Sequence, residues 1–133
     1  RELVIIALVM KRDDENFQRL VGREIEPVPG LSREEIEIIL RGMRAVFGEA
    51  GRPSLARVLA GSKAKTVKEE WKTNPSYGAF LEKSHDEILE MVDWCLEEEF
   101  IRLEKRDGYP ILLYAERGLA MDIELAAREF LVA

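Results

Sequence analysis

The amino-acid sequence predicts a mostly helical domain that carries one β-hairpin. Three observations predict it. Two capping boxes, Ser32-Arg-Glu-Glu35 and Ser84-His-Asp-Glu87, each open a run of apolar residues at helical spacing. Asp107-Gly108 lies between two apolar runs, the pattern of a tight hairpin turn. Glu26-Pro-Val-Pro-Gly30 stops regular structure and divides a 1–30 element and linker from a main body over 31–133.

The elements follow in order. Leu3 to Met10 is rich in β-branched residues and reads as a buried strand or a core helix. Lys11 to Asn16 is polar, and Phe17 to Val21 suits a short helix. The first main-body helix starts at Ser32, with Ile36, Ile39, Leu40, Met43 and Phe47 on its apolar face and Gly48 as its stop. Pro53-Ser54 opens a short second helix, with Leu55, Val58 and Leu59 inward and Gly61 at its end. A third helix is expected from Ser62 to Trp71, then a loop at Asn74–Gly78. The fourth starts at Ser84 and buries Ile88, Leu89, Val92, Cys95 and Leu96. Strands at Phe100–Glu104 and Pro110–Tyr114 flank a turn over Lys105–Gly108. A last helix runs from Leu119 to about Phe130, with Met121, Leu125 and Phe130 facing the core. Helices followed by one antiparallel hairpin are the order of a winged helix, a helix-turn-helix variant.

Composition narrows the function classes. The chain has 133 residues, 47% of them hydrophobic, enough for one domain with a core. Its net charge of −6 argues against binding polyanions through the whole surface. The single cysteine, Cys95, excludes an internal disulfide, and with the lone His85 it leaves no zinc set. The expectation is a reduced, cytoplasmic protein, associated with the nucleoid if bacterial, with Cys95 in the core and His85 on the surface. The longest apolar run has eight residues, too few to cross a bilayer. The chain opens on Arg1 rather than Met, so a piece of a longer protein is expected. No nucleophile–histidine–acid set, Walker loop or cofactor motif occurs, so the expectation is a non-enzyme without cofactors.

One segment departs from the acidic background. From Arg52 to Lys72 six cations face only Glu69 and Glu70, a net of +4. Gly61 permits close backbone approach, Ser62 supplies a hydroxyl at an expected helix N-terminus, and Lys63, Lys65 and Lys68 add charge. These are the parts of a phosphate clamp. They equally suit a glycine C-cap followed by a serine N-cap with solvated lysines. The helix before the hairpin is the opposite case: Ser84 to Glu99 holds seven acids and no Lys or Arg. Phosphates would repel it from a DNA groove, and it suits a basic protein partner instead. At the hairpin, Lys105 and Arg106 can meet phosphates. Tyr109 either packs beneath the turn or stacks on a terminal base pair. Trp71 and Trp94 read as packing residues.

The body also resembles a known family. Phe47-Gly48, Val58-Leu-Ala-Gly-Ser-Lys63, Tyr77-Gly78 and Gly108-Tyr-Pro-Ile-Leu112, then Glu116-Arg-Gly118, resemble the RQC domain, the winged-helix module of RecQ-family DNA helicases. The likeness runs from Leu31 to about Phe130; residues 1–30 have no match in it. The resemblance implies a non-catalytic DNA-binding domain for duplex ends, forks or other structured DNA, with ties to replication, recombination and repair. The implied contact residues are Arg57, Gly61, Ser62, Lys63, Lys65, Lys68, Arg102, Lys105, Arg106 and Tyr109. The helicase motor motifs and the zinc module that often precedes the domain are missing from this sequence. Two partner readings follow: DNA on the basic segment and hairpin, or a protein on the acidic helix. An exposed Leu3–Met10 strand would further allow a homodimer.

Overall fold

The computed structural model of the chain describes residues 30–132. The expected strand at 3–10, the helix at 17–21 and the extended boundary at 26–29 lie outside the described residues. Helix α1 is Arg33–Val46, α2 Arg52–Ala60, α3 His85–Glu97 and α4 Glu116–Val132. A 3-10 turn, Glu69–Thr73, interrupts the connection from α2 to α3. Strands β1, Ile101–Arg106, and β2, Tyr109–Tyr114, pair antiparallel. The described residues thus form four α-helices and a two-stranded hairpin. No helix among them is long and apolar enough to cross a membrane.

Local chemistry accounts for most boundaries. Both capping boxes form: Ser32 and Ser84 accept from the Glu35 and Glu87 amides, and the two glutamates accept from the serine amides. Each satisfies two otherwise orphaned donors. Pro53 sits in the first turn of α2, where its missing N–H costs nothing. Glu99, at φ +61, closes the loop after α3. Asp107 and Gly108 both have positive φ, as a two-residue hairpin turn with the twist of its strands requires.

The core lies where α1, α2 and α3 meet one face of the hairpin. Ile39, Leu40, Met43, Leu55, Leu59, Ile88, Cys95, Phe100 and Leu112 are fully or almost fully buried. Met91, off the predicted face, is also buried, while Leu89 and Leu96 are partly so. Two predicted core positions are corrected. Phe47 is 48% exposed because, as the C-cap of α1, its backbone leaves the helical conformation and swings it off the helix face. Phe130 is 57% exposed in the last turn of α4, whereas Ala120, Ile123, Ala126 and Ala127 are buried. Helix α4 also begins at Glu116, before the predicted Leu119, and takes Gly118 inside it. A Cβ at Gly118 would overlap the Phe100 carbonyl oxygen, so this glycine lets α4 meet the hairpin base backbone to backbone.

The segment 48–50 between α1 and α2 ties the hairpin to the helices. The Gly48 amide donates to the Leu112 carbonyl at 3.0 Å, and the Leu112 amide donates to Ala50 at 2.8 Å.

Candidate nucleic-acid interface

Helix α2 ends in a Schellman motif. Gly61 takes the left-handed conformation, with φ +71. Its amide donates to Val58 at 3.1 Å, and the Ser62 amide donates to Arg57 at 2.9 Å. The loop after Asn74 then crosses this end: the amides of Gly78 and Phe80 donate to the carbonyls of Val58 and Leu59, each at 2.9 Å. The Tyr77 hydroxyl donates to the Ser62 carbonyl at 2.7 Å. A Cβ at Gly61 would lie 3.0 Å from Gly78 Cα. The close backbone approach that Gly61 permits is therefore to Gly78 within the fold.

No helix starts at Ser62, which corrects the expected element at 62–71. The serine hydroxyl accepts from the Ala64 amide at 3.1 Å, a local turn rather than an N-cap. Only Val67 and Trp71 are buried there, one pair four residues apart. A helix this short is marginal without a longer apolar stripe. The amides of Gly61, Ser62 and Ala64 are all engaged, so a clamp of free helix-terminal amides does not form. The cationic side chains remain.

Those cations lie on a return path. Helix α2 has nine residues and is about 13 Å long. At its far end Ser62 bonds back to Arg57. At its near end Lys68 Nζ lies 3.7 Å from Glu49 Oε1, and Trp71 Nε1 donates to Glu49 Oε2 at 3.3 Å. The chain from Ser62 to Lys68 thus runs back beside α2 toward the α1–α2 turn. Exposed Lys63, Lys65 and Lys68 are strung along it in that order. Lys68 also sits 5.5 Å from the Trp71 ring, a cation–π contact.

The hairpin meets the near end of this path. Arg106 Nη1 donates weakly to the Gly48 carbonyl at 3.5 Å, next to Glu49. A Cβ at Gly51, which precedes α2, would lie 3.0 Å from the Pro110 carbonyl. Lys105 and Arg106 belong to β1, paired with Pro110 and Tyr109, and not to the turn as expected. The Asp107-Gly108 pair makes the whole turn and draws both cations into the ladder, on opposite faces. Tyr109 is 73% exposed, so packing beneath the turn is overturned. Arg102 is not gathered in. It lies four residues, about 13 Å, back along β1 and 3.8 Å from Glu104.

Pairing reduces the local charge. Asp93 of α3 accepts two bonds from Arg52, at 2.6 and 2.8 Å, and Glu69 accepts from Lys72 at 2.8 Å. The Glu69 hydrogen bond holds Lys72 above the usual lysine range. Arg57, half-buried on α2, and exposed Lys63, Lys65 and Lys105 have no ion pair among the described residues. Among the described residues, Glu49 is the one carboxylate that touches the path itself.

Two further features were not read from the sequence. Between α1 and α4, Arg44 makes a bidentate contact to buried Asp122, at 2.9 and 3.2 Å, and also reaches Glu129 at 3.2 Å. Arg41 donates to Glu129 at 2.6 Å, and the Tyr114 hydroxyl donates to the Leu40 carbonyl at 3.0 Å. Burial pushes Asp122 up, and Arg44 pulls it only part of the way back. Burial opposes the Glu129 charge too, but Arg41 and Arg44 together hold that carboxyl below its usual range. The sequence signal was Arg41 and Arg44 three apart on one helix and Asp122 and Glu129 seven apart on another, which places each pair on one face. The second feature is a groove between α1 and α3. Cys95 is buried, and burial pushes its thiol up to about 12. No group of three or more His, Cys, Asp or Glu side chains among the described residues is arranged to hold a metal. Comparison of the chain with family models, curated proteins and solved structures finds no match.

Proposed function

We propose that residues 31–133 form a non-catalytic DNA-binding domain with a winged-helix arrangement similar to the RQC domain, and that it holds duplex ends or forks through phosphates. One observation carries this reading: Lys63, Lys65 and Lys68 line a path beside α2 that ends at the hairpin bearing Lys105 and Arg106. Phosphates repeat along a strand, so a row of cations fits a backbone better than a single anion. The hydrogen bonds from 48–50 to Leu112 support the hairpin as a wing fixed to the helices. Exposed Tyr109, beside Arg106 in the ladder, is free to stack on a terminal base pair. Helix α3 precedes the hairpin, where a helix-turn-helix protein reads bases. Its carboxylates argue against that role, and in this reading binding follows DNA shape and ends rather than sequence.

The test is fluorescence anisotropy with blunt duplex, forked and single-stranded DNA across a salt series. Four phosphate contacts, from Lys63, Lys65, Lys105 and Arg106, give a log–log salt slope of about −3.6. Affinity then falls roughly 150-fold between about 50 and 200 mM salt. The K63E/K65E double variant should bind far more weakly, with the slope reduced to about −1.8 or less. Absence of binding at about 50 mM salt, or an unchanged slope in the variant, would reject the reading.

A further inference from the structure

A groove of about 330 Å³ opens between the start of α1 and the outer face of α3. Its apolar lining is Leu31, Met91 and Trp94. Trp94 is half-buried: one side of its ring stacks on Phe100 at 6.0 Å, and the Gly30 backbone packs directly on its indole nitrogen. The volume is at the small end of ligand pockets, suited to one apolar side chain rather than a cofactor.

The rim is acidic. Among the described residues, Glu35, Glu87 and Glu90 line it against Lys83 alone. Glu35 and Glu87 each give one carboxylate oxygen to a capping box. The Ser84 amide and hydroxyl hold Glu87 below the usual carboxylate range, so it stays charged near neutral pH. Helices α1 and α3 both begin here, and each N-terminus contributes about half a positive charge. Three carboxylates against one lysine and two helix termini still leave the groove negative by about one charge. Asp86 and Glu34, both exposed, extend the negative field outside it.

We propose that this groove docks a basic segment of a partner protein, one apolar side chain of which enters between Leu31, Met91 and Trp94 while flanking Lys or Arg residues meet Glu87 and Glu90. Charge complementarity selects the occupant: an acidic peptide or a nucleic acid is repelled, and a neutral apolar peptide forgoes the rim. The site is distinct from the lysine path, which contains none of the groove residues.

The chain has two tryptophans, Trp71 and Trp94, so two indole N–H resonances report separately on the buried core and the groove. The experiment titrates the protein with synthetic peptides of about a dozen residues, Lys/Arg-rich with a central Leu or Phe, at low salt, and follows both resonances. The Trp94 resonance should move in a saturable way and the Trp71 resonance should stay. The same peptides with a central Gly, and Glu-rich versions with Leu, should bind at least tenfold more weakly. Glu90 is exposed, so E90K should fold normally and weaken binding tenfold or more. No saturable shift up to about 1 mM peptide, equal binding by the Glu-rich peptide, or full affinity in E90K would each overturn the proposal.

Discussion

Gly61→Ala separates a glycine that serves the fold from one that serves a phosphate. At φ +71 an alanine costs about 1–2 kcal/mol for the left-handed conformation. Its Cβ would also sit 3.0 Å from Gly78 Cα. That neighbour is backbone, pinned by the Gly78 and Phe80 amides on α2, so it cannot turn aside as a side chain would. Overpacking of this kind adds about 1–3 kcal/mol. A smaller unfolded-state entropy returns about 0.4–1 kcal/mol. The expected net loss is about 2–4 kcal/mol, a large share of a typical domain stability of about 5–15 kcal/mol. Gly108→Ala is the control. It has φ +83 and nothing within 4 Å of the added Cβ, so it carries only the conformational cost. Urea unfolding followed by circular dichroism should place G61A at least about 1 kcal/mol below G108A. Below its unfolding transition, G61A should keep most of its DNA affinity. Equal stability of the two variants, or a stable G61A that has lost DNA binding, would refute the assignment of Gly61 to the Gly78 crossing.

Arg44→Met should destabilise the protein by about 3 kcal/mol, because it leaves the nearly buried Asp122 carboxylate without its bidentate partner; thermal or urea unfolding checks this. Acid should unfold the protein partly through Glu129. Its folded-state pKa is depressed, so its contribution is present above the ordinary glutamate value of about 4.3 and is lost as pH falls through the lower folded value. Asp122 acts in the opposite sense, since its raised folded pKa favours protonation of the folded state. E129Q should therefore flatten the acid limb of stability against pH, and an unchanged limb would remove Glu129 from the account. The Cys95 thiol, buried with its pKa pushed up to about 12, should resist thiol reagents in the folded protein and react fully in denaturant. Fast labelling under native conditions would show that α3 opens locally.

The sequence by itself determined what depends on near neighbours. Both capping boxes, the glycine end of α2, the Asp107-Gly108 turn and most of the buried faces of α1 and α3 were legible because caps, positive φ and periodicity act within a few residues. The cations of the candidate site were legible as residue types too. Their arrangement was not. Whether Ser62 opens a helix depended on Gly78, Phe80 and Tyr77 crossing the end of α2, and the 62–68 segment instead turned back to Glu49. Tyr109 came out exposed and Phe47 left the core because strand pairing and the path of the α1–α2 turn aim those rings, and neither is a local property. The Arg44–Asp122 pair joins positions 78 residues apart, and Gly118 meets the Phe100 carbonyl across the base of the hairpin. Such contacts are selected by how the elements pack, and a sequence read one segment at a time does not show which faces meet.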